Sequence, residues 1–298
     1  MKHTLKITLI LVAIFLLSQI IGLAITNNYI DHKATAETGN VTWAALPYNI
    51  SRPVVEETSS FMYILAAILT GTLIVFLIMK FGSILWWKVW FFFAVAVTLV
   101  VAFKTFMPDL IALILGLALA GYKVFKPNIF VQNITELFVY GGLAAIFVPI
   151  INIFSVFMLL LLISAYDMIA VWKSKHMVSL AKFQAKSKVF AGLLLPYKMP
   201  KNIPKGIPIK RIKVKTAILG GGDIGFPLIF AGVVMKGLML TNPEWSGFLQ
   251  ALIIPIFTSI ALLFLLMKSE KDKFYPAMPF LSAGCLAGYL VILLINLI

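Results

Sequence analysis

Charge is scarce in this 298-residue chain. Only 12% of its residues are Asp, Glu, Lys or Arg, against roughly a quarter in a soluble domain. Acids are the scarcer sign, 11 against 25 basic residues. A lone cysteine, Cys285, excludes an internal disulfide framework and a thiolate metal cluster. The histidines, His3, His32 and His176, are scattered and form no HExxH pair, which argues against a zinc metalloprotease. No Ser–His pairing stands out, which weakens an intramembrane serine protease.

What is abundant is apolar. Hydrophobic residues make up 61% of the chain, and the mean hydropathy is +1.02. Such a chain is a polytopic membrane protein. Its net charge of +14 raises the question of nucleic acid. The distribution answers it: twelve of the 25 basic residues fall between Lys173 and Lys215, a stretch without Asp or Glu. That is the pattern of a cytoplasmic loop under the positive-inside rule, so no nucleic-acid partner is expected.

A spanning helix needs about 20 mostly apolar residues. Nine stretches qualify: 5–26, 59–79, 84–103, 108–122, 129–148, 152–172, 216–236, 246–267 and 276–297. The first has Lys2 and Lys6 before it, as a signal peptide would, but its apolar core is longer than the roughly 7–15 residues of a signal sequence. It is read as a retained span. With the N-terminus inside, 21 basic residues fall on the cytoplasmic side. Only Lys33, Arg52, Lys104 and Lys236 fall outside. The expected fold is therefore an all-α membrane protein with nine transmembrane helices, a cytoplasmic N-terminus and an outer C-terminus.

Few acids sit within these spans. Asp109 follows Pro108 at a helix start, where an acid satisfies free N–H groups, and Glu136 is expected to pair or snorkel. Asp167 and Asp223 remain. At 1.5 Å per residue, Asp167 lies roughly 9 Å inside the Lys173 boundary and Asp223 roughly 12 Å inside the Lys215 boundary. Consecutive antiparallel helices pack as neighbours, so the two acids are expected to face each other. Two carboxyls sharing a site share a proton. The ionised one can activate water and the protonated one can donate to a carbonyl oxygen, which is aspartic protease chemistry without a metal or cofactor. Gly220, Gly221 and Gly222 precede Asp223. They are expected to admit a close backbone and to loosen the helix, as is Pro227.

These residues resemble a known family. Tyr166-Asp167 looks like the YD motif of the presenilin and signal peptide peptidase group of intramembrane aspartyl proteases. Gly220-Gly221-Gly222-Asp223 fits its GxGD motif. Tyr275-Pro276-Ala277-Met278-Pro279 resembles its PAL motif, with Met278 in place of leucine, a mild change in volume. The resemblance implies that Asp167 and Asp223 are catalytic, and that Tyr166, Gly220–Gly222, Pro276, Ala277, Met278 and Pro279 support the site or bind substrate. It implies substrates that are transmembrane helices cut within the bilayer. The charge-derived orientation is that of presenilins, and the short chain resembles a compact microbial homologue. Pro276 and Pro279 are expected to prevent regular helix at the head of the last span.

Residues 1–172 are thus expected to form spans one to six, 173–215 a basic cytoplasmic loop, and 216–298 spans seven to nine. Within the loop, residues 177–195 read as a basic amphipathic helix on anionic headgroups. Residues 209–215 alternate as a short strand that can pair with an unwound substrate. Partners are transmembrane substrates and the lipid bilayer, with a homo-oligomer left open. The competing reading of buried acids and broken helices is a cation channel or ion-coupled transporter.

Overall fold

The structure, a computed structural model, describes residues 4–81, 83–173, 183–184, 187–196, 216–270 and 275–297. Its helices follow the apolar runs. They are α1 (Leu5–Asn28), the short α2 (His32–Thr38), α3 (Ser60–Phe81), α4 (Ile84–Lys104), α5 (Asp109–Phe125), α6 (Ile129–Phe147) and α7 (Ile153–Trp172). After them come strands β1 (Gly192–Pro196) and β2 (Thr216–Gly220). Helices α8 (Gly221–Leu238), α9 (Glu244–Ala251), α10 (Ile253–Lys268) and α11 (Met278–Leu297) complete the order. Local chemistry sets several starts. Asn128 accepts the N–H of Phe130 at the head of α6, and Asn152 accepts that of Ser155 at the head of α7.

Among the described residues, eight helices are long and apolar enough to cross a membrane, with α9 and α10 counted as one. The fourth predicted span, α5, has 17 residues and is shorter than these. Outward faces carry large apolar residues, such as Leu69, Leu73 and Leu77 on α3, as a lipid-facing surface does.

The seventh predicted span differs in kind. Residues 216–220 are a strand, and the helix begins only at Gly221. β2 pairs antiparallel with β1 in the register Gly192↔Gly220, Leu194↔Ile218 and Pro196↔Thr216. The depth calculation for Asp223, which assumed helical rise from residue 215, therefore has no basis. The same hairpin corrects the amphipathic reading of 177–195, because its last residues, from Gly192 on, are extended. The expected strand at 209–215 lies outside the described residues. The glycines do not loosen a helix interior either: Gly220 is the N-cap of α8, and Gly221 and Gly222 form its first turn.

α8 lies at the centre, packed against α1, α6, α7, α10 and α11. Its Ile224, Leu228 and Phe230 are fully buried beside Leu11, Phe15 and Leu23 of α1 and Leu159 of α7. Phe157, Phe230 and Tyr289 meet edge to face and tie α7, α8 and α11 together.

Candidate active site

Asp167 sits in the last third of α7, on its buried face with Leu160, Ile163 and Ser164. Its Oδ2 accepts the backbone N–H of Met278 at 3.0 Å, and the N–H of Ala277 also faces this carboxylate. Met278 is the first residue of α11. A helix start leaves N–H groups without partners and carries partial positive charge. Asp167 thus caps α11 from a neighbouring helix. One turn back, Ser164 and Ser282 share a hydrogen bond of 2.9 Å between the same two helices.

Asp223 is the third residue of α8. Its carboxylate faces Gly220, the N-cap, and lies within electrostatic reach of Asp167. A side chain three residues into a helix that turns back toward the N-cap has the placement of half a capping box. Asp167 is buried and Asp223 half-buried. The fold therefore gathers Asp167, Asp223, Gly220, Ala277 and Met278.

The other predicted residues stand further off. Tyr166 is half-buried, one residue and about 100° around the helix from Asp167. Gly222 is exposed. Gly221 faces away from Asp167, toward α6. Pro276 precedes α11, whereas Pro279 is inside its first turn, where a missing N–H costs nothing. Only one of the two prolines therefore keeps the chain out of helix.

Helix α6 supplies neighbours of which sequence reasoning singled out Glu136 alone. Gln132, Glu136 and Tyr140 recur every fourth residue, so they share one face. Glu136 forms an ion pair with Lys123 of α5, both side chains being 1% exposed. Gln132 Nε2 and Tyr140 Oη also donate to Glu136. Gln132 further donates to the carbonyls of Phe190 and Gly192. Asn133 takes both main-chain groups of Leu194, donating to its O at 2.7 Å and accepting from its N at 2.9 Å. Thus α6 grips β1, and β1 holds β2, which leads into Asp223. The polar residues at four-residue spacing in an apolar span were the available signal. The expectation that Glu136 pairs is met by Lys123.

Among the described residues, no group of three or more His, Cys, Asp or Glu could hold a metal ion. A cavity of about 220 Å³, lined by Asn27, Glu244 and Trp245 among others, contains none of the motif residues.

Comparison with known proteins gives the chain its family. Residues 11–298 match the family described as signal-peptide peptidase, presenilin aspartyl protease. The chain belongs to this family. It is an intramembrane aspartyl protease, a hydrolase integral to the membrane with many spans. Its fold is similar to a solved presenilin family intramembrane aspartate protease. The TM-score is 0.63 at 17% identity, covering 97% of this chain and 99% of that one. A second structure of a presenilin family intramembrane aspartate protease, in another space group, gives 0.60 at 18% identity, covering 98% and 97%. At these identities the likeness is one of fold. No curated sequence relative matches.

Proposed function

We propose that this intramembrane aspartyl protease cuts transmembrane helices with a water activated between Asp167 and Asp223. One observation carries the reading: Asp167, buried on α7 and held on the Met278 N–H, lies within electrostatic reach of Asp223 at the head of α8. The ionised member takes a proton from water as its oxygen bonds to the scissile carbonyl carbon, and the protonated member gives its proton to the carbonyl oxygen. Collapse of the resulting gem-diol breaks the C–N bond, and the amide nitrogen leaves with a proton. The pair acts as a unit, so neither residue is named acid or base alone.

The substrate must be extended, because a helix hides its amides. In the antiparallel ladder, main-chain groups alternate between the two edges of a strand. The bonds from Asn133 to both main-chain groups of Leu194 mean that these point away from β2. Ile218, opposite Leu194, then directs its own groups to the far edge of β2. The Gly220 N–H, two residues on, points the same way, toward the Asp223 carboxylate. A substrate strand added along that edge runs to Asp223.

The proposed topology has nine spans with a cytoplasmic N-terminus and an outer C-terminus. The 17 residues of α5 form the shortest span, at the low end of what a bilayer accepts. Residues 1–172, 173–215 and 216–298 then correspond to six spans, a basic loop and three spans.

The test is cleavage of a labelled transmembrane peptide in detergent, with products mapped by mass. Asp167→Asn and Asp223→Asn should each abolish cleavage while the protein still melts cooperatively. Full activity in either variant removes the dyad.

A further inference from the structure

Tyr140 fills a space that two glycines of α8 leave open. A Cβ built on Gly221 meets Tyr140 Oη at 2.6 Å, and Cε1 and Cζ of the same ring at 3.3 Å. A Cβ on Gly225, one turn later, meets Tyr140 Cδ1 at 3.5 Å. One aromatic ring therefore lies along two glycines on one face of α8. The hydroxyl is fixed as well as the ring. It donates to Glu136, whose carboxylate is itself held by Lys123 and Gln132.

Asp223 lies midway between those glycines. Two residues of α-helix turn the direction by about 200°, so the Asp223 Cβ leaves α8 on the side away from Tyr140 and toward α7, with its carboxylate still within electrostatic reach of Tyr140. The gap between α6 and α8 then fixes how closely Asp223 approaches Asp167. Gly220 and Gly222 lack this constraint. Among the described residues, a Cβ on Gly220 would meet only the Asp223 carboxylate, and one on Gly222 only the Phe226 ring at 3.4 Å.

We propose that Tyr140 is a positioning residue: a braced stop behind α8 that sets Asp223 against Asp167, with Gly221 as its required partner. This rests on the reading of Asp223 as half of the dyad. Interior packing is tight enough to transmit the displacement. A shift of about 1 Å in a catalytic group costs on the order of a hundredfold in rate.

The experiment is a double-variant cycle on the full chain in detergent, with kcat and KM measured on a transmembrane peptide and melting followed in parallel. Gly221→Ala should lower kcat by on the order of a hundredfold with KM unchanged. Adding Tyr140→Phe removes the atom at 2.6 Å and leaves nothing nearer than 3.3 Å. The double variant should therefore regain at least about tenfold in kcat over Gly221→Ala alone, equal to about 1.4 kcal/mol. If Gly221→Ala folds only when Tyr140 is also replaced by Phe, the close fit is equally supported. A Gly221→Ala protein with wild-type kcat overturns the proposal. So does a double variant no faster and no better folded than the single, or a loss carried wholly by KM. Asp223→Asn is run alongside. Cleavage by that variant refutes the dyad itself, whichever way the cycle falls.

Discussion

Removing one member of the Lys123–Glu136 pair should cost more than removing both. Each side chain is 1% exposed, so neither can turn to water when its partner is lost. Glu136→Ala leaves the Lys123 ammonium with the ring of Phe91 at 5.6 Å and the C-terminal turn of α5 for company. It also deprives Gln132 and Tyr140 of their shared acceptor. Breaking a buried pair from one side costs about 3–5 kcal/mol, whereas replacing both charges by groups of similar volume is often neutral. Lys123→Met with Glu136→Gln keeps the volume, and the introduced amide oxygen would still accept from Tyr140. The double variant should therefore be more stable than either Lys123→Met or Glu136→Gln alone, each of which leaves one buried charge without its partner. The assay is unfolding in detergent by heat and by added SDS, closed as a thermodynamic cycle. Singles that lose less than about 1 kcal/mol, or a double that loses the sum of the singles, would refute the idea that these charges compensate each other in a dry site.

Further outcomes follow from packing and hydrogen bonding. Gly142→Ala should abolish or severely weaken folding, because its Cβ would sit 1.9 Å from the Thr98 carbonyl oxygen, main chain that cannot give way. Gly71→Ala, with no atom of the other described residues within 4 Å of the new Cβ and a place inside α3, should instead add about 1 kcal/mol of helix propensity, read as a higher melting temperature. Tyr29, which donates to the Val101 carbonyl at 2.8 Å, is pushed up from 10.0 to about 12, mainly by burial and against the pull of Arg52. The folded state thus keeps this proton longer than the unfolded state. Stability should fall as pH rises from about 10 to about 12, and Tyr29→Phe should flatten that slope.

Most helices were legible because hydropathy and length report spans directly. Asn128, Asn152 and Pro108 mark helix starts that fall within a residue or two of those expected. The hairpin was not legible. Residues 216–220 (TAILG) are as apolar as the helix that follows, and five residues show no period that separates strand from helix. Their partner, GLLLP at 192–196, lies across the long loop, so the pairing is non-local. Asp167 and Asp223 could be singled out because an acid in an apolar run is rare. The role of Tyr140 could not, because a tyrosine in a span is unremarkable until the glycine it rests on is known. Pro279 shows the limit of residue-by-residue rules: the same proline that breaks a helix interior is at home in a first turn.

Why the chain stops being helical just before Asp223 can be argued from the main chain. Buried N–H and C=O groups need partners, and a helix would have supplied them internally across 216–222. The hairpin supplies them from elsewhere: the β1 ladder on one side of β2, and the Ala191 carbonyl for the Gly221 N–H. β1 in turn depends on Gln132 and Asn133. The polar face of α6 is therefore what an extended segment requires beside an apolar core. On the proposed mechanism the arrangement has a chemical purpose. A helix through Ile218 would turn its N–H and C=O groups inward and leave no edge beside the acid. A strand that ends at the N-cap of α8 puts an edge, the carboxylate and a helix start within three residues of one another. The positive end of α8 then lies where a carboxylate must sometimes carry charge.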